Sequence, residues 1–454
     1  MNADDLMDSI GEIDEDMVEA VDALRTAKKK KSPWVRWGTM AACCALALAL
    51  GYSALQSADI LVQPGSESDP ASSRSTAEPA ATPTPAPKVE LLAYPDRLVL
   101  PTAQEPEPQP FAWPELSFGG MGYESYWMKD FSEFHTGNPW TPEMQLDTLP
   151  VYRNTVLYDE ELSPQNADFA LMQGILRAAV SRLGLEADVL KLDDNSADEQ
   201  EKQAIQEKYE AAGMTPPPEE NLTPAKVAYE AEGIRIQVGS SYRLKINLDK
   251  PRPYPPELLS GSAGLEQAEK KAHWLAGEYA DLLNMEQPTS AVQGGDYSYV
   301  GDRRYAMGIY DAAGSDLEKI LHYNFYRAEF CDDDDGNLFL IWLRFPDLTD
   351  LLGNYPAITP EQARQELLAG RYVTSVPYEV PADAQIARVE LVYRGETYDP
   401  LYVPYYKFYV DVTDAPEHYT GESMKGLRDY GAYYVPAIDP AYLTGLPLWD
   451  GRIN

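Results

Sequence analysis

The residues able to carry chemistry are few and dispersed. The histidines are His135, His273, His322 and His418, and the nearest two, His273 and His322, stand 49 positions apart (322 − 273). No pair has the spacing of H-E-x-x-H, and no Cys-x-x-Cys occurs. Cys43 and Cys44 are adjacent inside an apolar run, which leaves Cys331 without a local disulfide partner. No metal or cofactor site is therefore expected. Asp332-Asp333-Asp334-Asp335 is the obvious place to look for a calcium ligand set. The spacing of a calcium loop fails there, because placing Gly336 sixth puts Cys331 first and Trp342 twelfth. Asp-Gly-Asn between two apolar runs reads instead as a hairpin turn. The same carboxylates should raise the thiol pKa of Cys331 and make it a poor nucleophile.

Signatures of catalysis are missing from the sequence. It holds no G-x-S-x-G, no S-x-x-K and no G-K-[ST], and Gly119, Gly120 and Gly122 lack the dinucleotide fingerprint. Carboxylates are too numerous for spacing to single out a glycosidase pair. Of 31 tyrosines, eleven lie between Tyr393 and Tyr442. They could form an aromatic platform for sugars or wall polymers, together with the irregular Asn138-Pro139-Trp140 segment. They could equally be strand residues with an apolar body and a polar tip.

The elements that would position such residues begin with charge. The chain has 454 residues, 37 Lys+Arg and 73 Asp+Glu, a formal net charge of −36. A surface so acidic argues against nucleic acid as a partner. From Trp37 to Ala58 there is no charged residue. Trp37–Leu55 is 19 residues, roughly 28 Å as a helix, about the thickness of a bilayer's hydrocarbon core. Arg25, Lys28, Lys29, Lys30, Lys31 and Arg36 precede it, so the N-terminus is expected in the cytoplasm and the C-terminal mass outside the cell. The apolar run follows a long polar segment and ends in no clean A-x-A site, which favours an uncleaved anchor.

The expected organisation is a cytoplasmic amphipathic leader over 1–33, a transmembrane signal anchor over 34–56 and a Pro/Ser/Thr/Ala-rich disordered linker over 57–88. Two extracytoplasmic α+β parts would follow, over 89–260 and 261–454. In the leader, Leu6, Ile10, Ile13, Met17 and Leu24 recur at helical steps against an acidic face. They are the candidate partner-binding residues, for a cytoplasmic regulatory protein. An acidic face would not dock on an anionic inner leaflet, so the lipid bilayer is met through one helix only.

Beyond residue 89 the pattern alternates helix with antiparallel strands, an α+β class. Thr359-Pro360-Glu361-Gln362 opens a helix with a capping box and Gly370 closes it. A second helix carries Ala268, Ala272, Leu275, Tyr279 and Leu282. A third runs from about Asn166 to Gly184, burying Phe169, Met172, Leu176, Ala179 and Leu183. Strand pairs are expected at Ile234–Gly239 with Tyr242–Leu248, and at Leu321–Phe330 with Leu338–Phe345. Ile386–Arg394, Leu401–Val412 and Gly431–Ile438 complete the set. In Tyr405–Val410, alternation puts Tyr406, Phe408 and Val410 on one face. Asp193–Pro218 reads as a charged insertion with a helix over 198–212.

Ile358-Thr-Pro-Glu-Gln-Ala363, then Leu-Leu-Ala-Gly370 and a strand pair, resembles the helix-plus-hairpin unit of PepSY-type domains. The segments Pro404–Val410, Tyr430–Pro436, Asn138–Trp140 and Leu149–Asn154 are similar to ectodomains of single-pass proteins from clostridial Gram-positive bacteria. The overall plan resembles accessory proteins of Gram-positive two-component systems, and Ile10–Glu15 resembles leaders of anti-sigma-factor-like membrane proteins. These resemblances imply binding or inhibition rather than catalysis, and they assign no catalytic residue. The expected function is a non-enzymatic, membrane-anchored sensory or regulatory protein that relays an envelope ligand to a cytoplasmic partner. The alternative is a binding or inhibitory module acting on an envelope enzyme or cell-wall glycan. The third reading is a glycan-active hydrolase.

Overall fold

Local capping chemistry sets the helix boundaries. Helix α1 (Phe169–Arg182) starts where the Asp168 carboxylate accepts from the Leu171 amide at 3.0 Å. Helix α2 spans Gly264–Glu278. Helix α3 (Asp316–Phe325) opens on a reciprocal box of Ser315 and Glu318, and α4 (Pro360–Leu368) on one of Thr359 and Gln362. Gly370, at φ +80°, ends the α4 turn in the left-handed region. These elements belong to a computed structural model. It describes residues 91–102, 105–114, 124–158, 164–185, 226–298, 301–395, 397–415, 424–446 and 448. The leader 1–33, the anchor 34–56, the linker 57–88 and the helix expected over 198–212 lie outside the described residues. Among the described residues, no helix is long and apolar enough to cross a membrane.

The strands, in chain order, are β1 (Phe111–Ala112), β2 (Ser125–Met128), β3 (Thr148–Arg153), β4 (Lys226–Ala231), β5 (Ile234–Gly239) and β6 (Arg243–Arg252). Then come β7 (Pro288–Ser290), β8 (Gln293–Tyr297), β9 (Arg303–Asp311), β10 (Ala328–Asp332), β11 (Leu338–Arg344) and β12 (Leu351–Pro356). The last are β13 (Val373–Thr374), β14 (Ile386–Arg394), β15 (Leu401–Asp411), β16 (Arg428–Pro436) and β17 (Leu443–Thr444). The class is mixed α+β, richer in strand than in helix. An eight-stranded sheet has the order β4-β5-β6-β11-β10-β9-β7, with β8 also on β9. A seven-stranded sheet has the order β12-β3-β15-β16-β13, with β14 on β15 and β2 on β16.

Each sheet has its own core. Helices α1 and α2 pack on the first sheet, where Leu176, Val180, Ile236, Leu244, Leu275 and Ile341 are buried together. Helix α4 covers β16 of the second sheet, and Ala363 and Leu367 join Tyr406, Phe408, Tyr433 and Val435. Helix α3 touches β9 of the first sheet and β14 of the second, so it ties the two together. Residues 89–454 accordingly form one compact unit. The first sheet is continuous across residues 260 and 261, because β6 is hydrogen-bonded to β11 from Arg243↔Arg344 to Arg252↔Leu338. The two expected parts, 89–260 and 261–454, thus share a sheet.

Two local expectations are corrected. Leu321–Phe330 is not one strand: α3 occupies Asp316–Phe325, and β10 starts only at Ala328. The Ser315–Glu318 box nucleates the helix, and Ile320, Leu321 and Phe325 supply its buried stripe. Phe169 is not buried; it is 47% exposed on the first turn of α1, and Leu171 and Ile175 take the inward positions. The expected hairpin at Asp332–Asn337 forms, with β10 and β11 antiparallel. Antiparallel strands follow each of α1, α2, α3 and α4, one more instance of the plan than the pattern indicated.

Candidate functional site

Alternation in β14 puts Glu390, Val392 and Arg394 on one face. Their neighbours across the sheet on that face are Lys407 of β15, opposite Glu390, and Tyr434 of β16, opposite Lys407. This face of the second sheet does not pack directly on the first. Between them lies a cavity of about 850 Å³, closed on the other side by β8, β9 and α3 through Gln293, Asp296, Arg304 and Tyr323, and by Arg327 just after α3. Strand β15 is consequently buried along almost its whole length, with Tyr406, Phe408 and Val410 in the core and Lys407 and Tyr409 at the cavity. Arg304 and Tyr398 are exposed at the rim, whereas Arg394, Asp399 and Lys407 are buried at the base.

The cavity departs from the charge of the chain. Its basic residues are Arg304, Arg327, Arg344, Arg394 and Lys407, five against the four acidic residues Glu124, Asp296, Glu390 and Asp399. Over the whole sequence acids outnumber bases 73 to 37. The lining is therefore nearly balanced in charge inside a strongly anionic protein, with polar and apolar surface in similar share.

Most of these charges are already engaged. Lys407 Nζ is bound to Glu124 Oε1 and donates to Tyr126 Oη at 2.8 Å. It also sits 4.9 Å from the ring centroids of Tyr126 and Tyr409 and 5.6 Å from that of Tyr434. Tyr126 and Tyr434 both donate to the Glu124 carboxylate. Burial alone would raise the Glu124 pKa, but the Lys407 ammonium and these three hydrogen bonds hold it below the usual carboxylate value. Glu390 accepts from Thr136 Oγ1 at 2.6 Å, Tyr409 Oη at 3.0 Å and Arg388 at 3.3 Å. Arg327 donates to Glu329 at 2.6 Å and lies over the Tyr323 ring. Arg344 donates to the Gly395 carbonyl at 2.7 Å.

Two groups stand apart. Arg394 is 8% exposed, its Nε is 3.9 Å from Asp399 Oδ2, and its Nη1 is buried without an acceptor. Asp296 has its pKa raised chiefly by burial, against the opposing pull of a backbone hydrogen bond and of Arg303. A buried guanidinium N–H with nothing to receive it is costly, and it marks where an acceptor belongs.

The residues singled out by sequence fall elsewhere. Leu6, Ile10, Ile13, Met17 and Leu24 lie outside the described residues. The acidic turn is tied to α2, where Lys271 Nζ donates to Asp332 Oδ2 at 2.6 Å and to the Gly336 carbonyl at 3.0 Å. Tyr254 donates to Asp332 Oδ1 at 2.7 Å. Among the described residues, no group of three His, Cys, Asp or Glu is placed to hold a metal. The Cys331 thiol is pushed up to about 11, by burial first and by Glu329 and Asp332 second. Asn138–Trp140 is a structural strap: Asn138 Nδ2 donates to the Leu391 carbonyl at 3.0 Å, and Trp140 packs on Tyr406. Most of the C-terminal tyrosines are core, but Tyr409 and Tyr434 face the cavity. The overlooked signals were the ionisable residues at alternate positions of β14 and the lone Lys407 amid aromatics in β15.

No protein-family model and no curated relative matches the chain. Among solved structures it is similar to an uncharacterized protein from Eubacterium rectale ATCC 33656, at 9% identity. That match covers 64% of this chain and 84% of the other, with a TM-score of 0.31.

Proposed function

We propose that this chain is a non-enzymatic receptor, anchored by residues 34–56, whose extracytoplasmic region takes up a small envelope ligand in the cavity between its two sheets. The observation that carries this reading is the buried, acceptor-free Nη1 of Arg394 in a cavity of about 850 Å³. That volume is in the range of small-molecule sites, where apolar walls and a few placed polar groups are the rule. The resemblance to PepSY-type and two-component accessory ectodomains supports binding over turnover. So does the state of the carboxylates, since Glu124 and Glu390 are each saturated by donors. Hydrolysis of a glycoside needs a free acid and a free base facing one bond, and Asp296 has no such uncommitted partner among them.

In this reading the leader relays occupancy through Leu6, Ile10, Ile13, Met17 and Leu24 to a cytoplasmic regulatory protein. The test is a thermal-shift screen of envelope-derived small molecules on the purified full chain, with hits repeated on Val392→Trp, which fills the cavity. Ligands that stabilise the wild type and not V392W support a receptor. A screen whose every hit acts equally on V392W, or product release from any hit, overturns it.

A further inference from the structure

We infer that the ligand of this cavity is an organic oxyanion of sugar-acid size, its carboxylate or phosphate seated on Arg394; the inference rests on the receptor reading above. The bases at the cavity differ in what they have left to give. Lys407 is neutralised by Glu124 and enclosed by three tyrosine rings. Arg327 is committed to Glu329, and Arg344 to a backbone carbonyl. Arg394 is held only loosely, by a carboxylate 3.9 Å from its Nε, and its Nη1 has no acceptor. Its side chain is 9% exposed and that of Asp399 5%, so the pair is built into the base and is no surface accident.

A guanidinium in that state asks for an oxyanion. Charge-assisted hydrogen bonds to a carboxylate or phosphate are roughly twice as strong as neutral ones, and the planar fork suits both groups. A neutral acceptor would satisfy one N–H but would not offset the charge of the loosely paired guanidinium. The exposed Arg304 at the rim attracts such a ligand from solvent, against the repulsion of the rest of the surface. The walls then set the body of the ligand. Tyr126, Tyr323, Tyr409 and Val392 are among the wall residues, and about 850 Å³ leaves room for more than one sugar unit.

The experiment uses the full chain in detergent and four probes at fixed ionic strength: glucuronate, glucose 6-phosphate, glucose and inorganic phosphate. Binding is read by calorimetry on the wild type, Arg394→Gln, Arg394→Lys and Arg304→Gln. The wild type should bind one of the two charged sugars at least about tenfold more tightly than glucose. Glucuronate against glucose 6-phosphate decides between carboxylate and phosphate, and phosphate alone should bind more weakly than the charged sugar. R394Q should abolish the preference for charge, R394K should weaken it, and R304Q should slow association more than it changes affinity. R394K keeps the proposal testable if R394Q does not fold. Equal binding of glucose and the charged sugars, or an unchanged preference in R394Q, overturns the oxyanion while leaving the receptor reading intact. No binding of any probe also overturns it, and the V392W screen then decides the receptor reading separately.

Discussion

Lys407 and Glu124, 283 positions apart in sequence, meet through Nζ and Oε1 at the base of the cavity. Lys407 is buried and Glu124 partly buried, and Tyr126 and Tyr434 complete the shell of Glu124. Removing one partner strands the other charge, at a cost of about 3–5 kcal/mol, whereas removing both is far cheaper. Glu124→Gln and Lys407→Met should each lower stability by that order in urea unfolding, and the double variant should recover part of the loss. The pH dependence follows from the lowered carboxyl. Its contribution is fully present above the unfolded value of 4.5 and is lost as pH falls through the lower folded value. The wild type should therefore lose stability more steeply than E124Q below pH 4.5.

The acidic turn makes a contrasting case. Lys271 is 7% exposed and binds both Asp332 and the Gly336 carbonyl, so Lys271→Met should cost about 3 kcal/mol or more. Asp334 and Asp335 are exposed at the tip, and Ala at either should shift stability by no more than about 0.5 kcal/mol. Millimolar calcium should leave the unfolding midpoint unmoved. A calcium-dependent rise that Asp334→Ala removes would make the turn a cation site.

Gly295 lies between Gly294 and Asp296, which line the cavity. Its φ is +102°, and a Cβ there would stand 1.9 Å from the Glu133 carbonyl oxygen. Both sterics and backbone conformation exclude a side chain. Gly295→Ala should destabilise by about 3 kcal/mol or more, and near-UV circular dichroism should report a disturbed aromatic environment. Gly233 has a similar positive φ but open space around it, so Gly233→Ala should cost markedly less.

How much was legible depends on the range of the interaction. The Thr359–Gln362 box and the Asp332–Asn337 hairpin are local, and the sequence pattern places both. Helix α3 has an equally local start at Ser315 and Glu318, but its aromatic run Tyr323–Phe325–Tyr326 mimics strand composition. The cap overrules the strand reading of Leu321–Phe330. The cavity was not legible, because its lining runs from Glu124 to Tyr434 and only sheet pairing gathers it. Composition also hid it: five basic residues gathered in one cleft vanish in a net charge of −36.

Asp296 gives a pH test of opposite sign to Glu124. Burial raises its pKa above the usual 3.8, so its ionised form opposes folding. The cost is full above the raised folded value and disappears below pH 3.8. Asp296→Asn should therefore be more stable than the wild type at pH 7, and the two unfolding midpoints should converge as pH is lowered through that window. A destabilised D296N at pH 7 would assign the carboxylate a partner that it needs in its charged form.

In the proposed reading the leader carries the relay. Leu6, Ile10, Ile13, Met17 and Leu24 recur at helical steps, so a helix over this segment would gather them into an apolar stripe opposite an acidic face. A groove on a cytoplasmic protein would bury them, each large aliphatic side chain contributing about 1.5–3 kcal/mol before ordering costs. Sigma factors are the first partners to test, given the resemblance of Ile10–Glu15 to anti-sigma leaders. In membranes carrying the full chain, a crosslinker in the cytoplasm should capture such a partner. Ile13→Asp with Met17→Asp should weaken that capture by orders of magnitude, while leaving membrane insertion and the stability of residues 89–454 unchanged. Ligand added outside should change the capture in the wild type and have no effect in Val392→Trp. If the double variant captures the same protein as well as the wild type does, the stripe is not the contact, and the extracytoplasmic region acts as a binding module without inward signalling.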